Sequence, residues 1–137
     1  MVNRDVVAAR LEKVNEYLQT LRAVQQYDPD RFREDPFIHG TAERYLHLSI
    51  ECLLDIGNHL ISDRGYRKPA TYGEIPEILA EEGVISQDLA SRMAGMAAFR
   101  NILVHDYLKL DLEKIYNIVG ERLKDLEELA SIFAGLL

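Results

Sequence analysis

The chain has 137 residues, 47% hydrophobic and 28% charged, which suits one globular domain spanning residues 1–137 and excludes a disordered or low-complexity chain. Its formal net charge of -7 argues against a protein that coats nucleic acid with its whole surface, because neutralising phosphate needs Lys and Arg.

The first helix is marked by Val7, Leu11, Val14, Leu18 and Leu21, which fall on one amphipathic stripe that ends near Tyr27-Asp28-Pro29. Asp35-Pro36 then gives an N-cap with proline at the first helical position, so a second helix is expected from about Pro36 to Ser62. It is apolar on two tracks, Leu46, Ile50, Leu53, Gly57 and Leu60 on one and Tyr45, Ser49, Cys52 and Ile56 on the other. That width predicts a central helix with a face left for a second subunit. Thr71 and Glu74 form a candidate capping box for a short third helix ending by Gly83.

Ser86 caps a fourth helix with Leu89, Met93, Met96 and Leu103 on one stripe, and Asp111 caps a fifth carrying Leu112, Ile115, Val119, Leu123, Leu126, Ala130 and Phe133. No strand-period segment of useful length appears. The expected fold is an all-α antiparallel bundle of about five helices, assembled as a homodimer.

Charge is unevenly spread. Residues 28–63 hold three basic and eight acidic groups and residues 111–137 three and six, whereas residues 83–110 hold three and two. Arg64, Arg67 and Lys68, grouped around Tyr66, are a candidate RNA-contact loop, although a mobile basic surface loop accounts for them equally well. The single Cys52 excludes an internal disulfide and a cysteine metal cage. No apolar run approaches the roughly 20 residues of a membrane span, and Asn3, Arg4 and Asp5 leave no signal-peptide core, so a cytoplasmic protein without a membrane partner is expected.

The inward stripe of the fourth helix calls for an apolar residue at position 100, where the sequence has Arg100. A guanidinium in that phase needs a carboxylate, backbone carbonyls or an anion, since an unpaired buried charge costs several kcal/mol. Taken alone, a snorkelling or salt-bridged arginine is the commoner outcome. Here His105 follows five residues later and Tyr107 seven, where the helix should be ending. Five helical residues rise about 7.5 Å, a gap that a long arginine side chain largely closes, so Arg100 and His105 are candidates to share one anion. A fixed cation, a group titrating near neutrality and a phenol are thereby grouped. His105 as a helix-end cap and Tyr107 as an amphipathic core residue are the structural alternatives. Asn101 is a candidate supporting residue.

Glu43, His47, Glu51, Asp55, His59 and Asp63 recur every four residues. That step drifts about 40° each time, so the row winds round the helix instead of converging on a metal. A solvated polar track with local pairing is expected, and no metal site.

The stretch Arg-x-x-x-x-His-x-Tyr in FRNILVHDYLKLD closely resembles the signature of HEPN-domain proteins, specifically their HepT-like branch. The likeness extends to ERYLHLSIECLLDIGNHLIS and RKPATYGEIPEILAEEGVIS, covering about residues 36 to 116. Arg100, His105 and Tyr107 show no departure from the signature, whereas the first and last helices match only in pattern. The resemblance implies a homodimeric, metal-independent endoribonuclease with no cofactor, the toxin of a toxin–antitoxin module acting on tRNA or mRNA. It implies Arg100 and His105 as catalytic residues. It also implies a minimal nucleotidyltransferase antitoxin that attaches AMP to Tyr107. A non-catalytic HEPN module that binds a nucleotide or the transferase remains the alternative, and a plain dimeric scaffold a third.

Overall fold

The computed structural model describes residues 3–105, 108 and 110–137. Among these residues seven helices follow in order, α1 (Arg4–Val24), α2 (Pro29–Glu34), α3 (Pro36–Asp63), α4 (Glu74–Glu81), α5 (Gln87–His105), α6 (Leu112–Glu121) and α7 (Leu123–Gly135). There is no strand among the described residues.

Local chemistry sets most of the helix ends. Asn3 accepts from the amides of Asp5 and Val6 at the start of α1, Asp35 from that of Phe37 ahead of Pro36, and Asp111 from those of Glu113 and Lys114. The Ser86 hydroxyl accepts from the Leu89 amide at 3.1 Å. These caps satisfy amide donors that the first turn of a helix leaves without partners. α3 and α4 both stop at a glycine with positive φ, Gly65 at 71° and Gly83 at 75°. In each case the next amide reaches back to close the turn, Tyr66 N to Ile61 O at 3.0 Å and Val84 N to Leu79 O at 2.8 Å.

The bundle departs from the expected five helices in two places. Asp28-Pro29 is not only an end but also a start, because Asp28 accepts from the Arg31 amide at 2.8 Å and launches α2, which buries Phe32. The expected last helix is broken at Arg122 into α6 and α7. The cause is tertiary: Asp125 is fully buried and accepts from Arg92 of α5 and from Arg122 Nε at 2.8 Å, which holds Arg122 at the junction with φ -115° and ψ 0°. The Thr71 capping box also takes another form. Gly73 occupies the N-cap without a side-chain bond, and the Glu74 carboxylate accepts from the Ala70 amide instead. Pro76 sits in the first turn of α4, where a missing N–H leaves no helical bond unmade.

α3 is the central helix and packs against all six others. Its track of Leu46, Ile50, Leu53, Gly57 and Leu60 is buried, as are Ser49 and Ile56 of the second track. Most of the width read from the sequence is therefore consumed within one chain. What remains is a strip with Phe37, 88% exposed, and the partly exposed Tyr45, Leu48 and Cys52. Gly57 is needed where α4 crosses α3, since a Cβ there would lie 2.8 Å from Ile75 Cγ2 and 3.2 Å from Leu79 Cδ1.

Candidate functional site

Arg100 lies near the C-terminal end of α5 with its side chain only 11% exposed. The inward phase read from the sequence is thus realised, and the guanidinium has found a carboxylate. Its Nη2 donates to Glu51 Oε1 of α3 at 3.0 Å and its Nη1 to Asn101 Oδ1 at 3.1 Å. Below the guanidinium lies the ring of Tyr72, 4.7 Å from centroid to Cζ, close enough for cation–π attraction. The Tyr72 hydroxyl in turn donates to Asp55 Oδ1 at 3.4 Å. Arg100 Nε is buried without a hydrogen-bond partner among the described residues.

The cluster draws on three parts of the chain. Glu51 and Asp55 stand one turn apart on α3, Tyr72 belongs to the connection between α3 and α4, and Arg100 comes from α5. His47, a turn earlier on α3, places Nε2 2.6 Å from Glu51 Oε2, out of line for a hydrogen bond. Burial first and Glu51 second push the Asp55 carboxyl above its ordinary value, against the opposing pull of Arg10, the Tyr72 hydroxyl and Arg100. Burial also raises the Tyr72 phenol, so both it and its Asp55 bond persist at neutral pH.

The track from Glu43 to Asp63 is therefore not simply solvated. Glu51 and Asp55 are half-buried members of the arginine site, while His39 and Glu43 pair locally at 3.6 Å. Among the described residues no group of three or more His, Cys, Asp or Glu is arranged to hold a metal ion.

His105 is the last residue of α5 and is exposed. Because α5 is helical from Arg100 to His105, the two side chains leave the axis about 140° apart and about 7.5 Å along it. No contact joins them among the described residues. Sharing one anion within a single chain is thus not what the helix favours. Tyr107 lies outside the described residues. Asn101 is exposed and bonded to Arg100.

The basic loop divides. Arg67 is held by Glu81 through two bonds of 2.9 and 3.0 Å, which neutralises it as an anion contact. Arg64 caps α3 and reaches the Tyr66 hydroxyl at 3.5 Å, and Lys68 is exposed. The loop's link to the site is Tyr72, which the sequence reading passed over along with the particular roles of Glu51 and Asp55. The signal that was present is the demand of Arg100 for a carboxylate.

Residues 11–132 match the family described as Ribonuclease HepT-like. The chain belongs to the HepT-like family. This HepT-like chain is 26% identical over 124 residues to the mRNA nuclease HepT of Shewanella oneidensis, covering 89% of itself and 93% of that protein. It is 25% identical over 115 residues to the tRNA nuclease HepT of Aphanizomenon flos-aquae, covering 84% and 78% respectively. Its fold matches that of the tri-AMPylated HEPN toxin of Shewanella oneidensis, solved in complex with an MNT antitoxin, with a TM-score of 0.88 at 23% identity over 97% of this chain and 99% of that one. No helix among the described residues is long and apolar enough to cross a membrane.

Proposed function

We propose that this HepT-like chain is a cytoplasmic endoribonuclease, the toxin of a toxin–antitoxin pair, that cleaves RNA through Arg100 and His105 without a metal ion. The observation that carries the reading is Arg100: a largely buried guanidinium, fixed in place on the same rigid helix that ends in an exposed histidine. Family membership and the nuclease relatives support it.

RNA carries its own nucleophile. The 2′-oxygen attacks the adjacent phosphorus, its proton passes to a base, the P–O5′ bond breaks, and the leaving 5′-oxygen takes a proton. The products are a 2′,3′-cyclic phosphate and a 5′-hydroxyl. His105 serves the proton transfers, worth roughly 10²–10⁴-fold, and Arg100 stabilises charge on the non-bridging oxygens as it develops. With two of its five N–H donors engaged by Glu51 and Asn101, the guanidinium keeps donors on both terminal nitrogens for phosphate.

A homodimer completes the site in this reading. The divergence of Arg100 and His105 on one helix favours a cleft built from two copies of α5. Phe37 and Leu108, 88% and 89% exposed, are apolar side chains that a second subunit would cover. Tyr107, two residues beyond His105, is the acceptor of AMP from a nucleotidyltransferase antitoxin. The added group brings bulk and negative charge that compete with RNA for the cation. The substrate is tRNA or mRNA, the two classes named for the relatives.

The test is incubation of the purified chain with cellular RNA in the presence of a chelator, followed by analysis of the new ends. Cleavage with 5′-hydroxyl and 2′,3′-cyclic phosphate ends is expected. Intact RNA, or cleavage that the chelator abolishes, contradicts the proposal.

A further inference from the structure

Hydrogen bonds to Glu51 and Asn101 hold the two terminal nitrogens of Arg100 at the edge of the guanidinium but leave its face without a support. Tyr72 supplies it. Its ring centroid lies 4.7 Å from the guanidinium Cζ, and its hydroxyl donates to Asp55. The ring's height is itself set by close packing. The Ile75 amide donates to Tyr72 O at 3.1 Å, and Ile75 Cγ2 fills the space that a side chain at Gly57 would take. The floor under Arg100 is thereby keyed to the crossing of α3 and α4.

We propose that Tyr72, through the face of its ring, is a positioning residue for Arg100, supporting the guanidinium so that its free donors meet the phosphate in the cleavage transition state. The inference rests on the reading of Arg100 as the phosphate-binding cation. Tyr72 acts through Arg100 and does not touch RNA. A planar aromatic face suits this task better than a second carboxylate, because it attracts the cation without consuming N–H donors or cancelling its charge.

Two substitutions separate the parts. Tyr72→Phe keeps the ring and loses the bond to Asp55, whereas Tyr72→Leu removes the face. In RNA cleavage, Tyr72→Leu should lower kcat roughly tenfold with little change in KM, as expected for loss of a partly desolvated cation–π contact. Tyr72→Phe should recover most of that rate. The Arg100 Nε–H resonance, shifted by the tyrosine ring current in the wild type, should move toward the position of an unstacked arginine in Tyr72→Leu alone. Unchanged kcat in folded Tyr72→Leu overturns the proposal. So does a loss confined to KM, which would mean that Tyr72 contacts RNA directly. A Tyr72→Phe protein as impaired as Tyr72→Leu overturns it too. An Arg100→Ala protein that cleaves as fast as wild type defeats the nuclease reading instead. In that event the Nε–H shift still decides whether Tyr72 holds the guanidinium.

Discussion

Glu51 and Arg100 stand 49 residues apart in the chain and meet at 3.0 Å between α3 and α5, with the arginine side chain almost enclosed and the glutamate about one-third exposed. The pair turns a polar residue in an apolar phase into an oriented cation. It also leaves the site dependent on how two helices pack.

Glu51→Ala should therefore impair both fold and activity. Loss of a charge-assisted hydrogen bond to a largely buried arginine costs about 1–2 kcal/mol here, discounted for the exposure of Glu51. RNA cleavage should fall at least about tenfold because Arg100 is no longer aimed. Urea unfolding and a cleavage assay on the same preparation check the two effects. Wild-type cleavage by Glu51→Ala would show that the pair is only structural.

Asp55 gives the site a pH signature. Its carboxyl titrates above the ordinary value, chiefly because of burial and then of Glu51. A raised folded pKa favours folding in acid. That contribution is complete below the unfolded pKa of about 3.9 and is lost as pH rises through the folded value. Asp55→Asn keeps an acceptor for Tyr72 and cannot ionise. Its stability relative to wild type should rise between about pH 4 and pH 7, measured as urea midpoints. A difference that stays flat or falls over that range contradicts the assignment.

A second ionic cluster lies apart from the Arg100 site and should behave differently. Asp125 is fully buried between Arg92 and Arg122, and Arg92 also binds Asp88 and Glu128. Bonds to these carboxylates, Asp125 foremost, hold the Arg92 guanidinium well above its usual range. Asp125→Ala should lower stability by about 1–3 kcal/mol, since both guanidiniums lose a buried acceptor but retain access to water. Cleavage by the folded fraction should be unchanged. Thermal unfolding compared with specific activity distinguishes this cluster from the one around Arg100.

The parts of the fold set by local chemistry were legible in the sequence. Asp35-Pro36, Ser86 and Asp111 start helices where their side chains cap them, and the stripe from Val7 to Leu21 is buried as its spacing requires. Asp28-Pro29 carries the same start signal as Asp35-Pro36. α2 is too short to show a period, however, so the signal read as an end. The break at Arg122 was not legible because its cause, Asp125 bound to Arg92, joins residues 33 positions apart. The site follows the same division. That Arg100 needed a carboxylate was readable from its phase on α5. That Glu51 would supply it, and Tyr72 the floor, depends on the crossing of α3, α4 and α5.

The central claim is that Arg100 and His105 together cleave RNA. The most direct measurement is the single-turnover cleavage rate of one labelled RNA by wild-type, Arg100→Ala and His105→Ala proteins with matched circular dichroism and unfolding midpoints. The predicted result is a loss of at least about 100-fold in each variant, as expected for removal of a general acid–base group or a transition-state cation. Folded variants that cleave at the wild-type rate would contradict it.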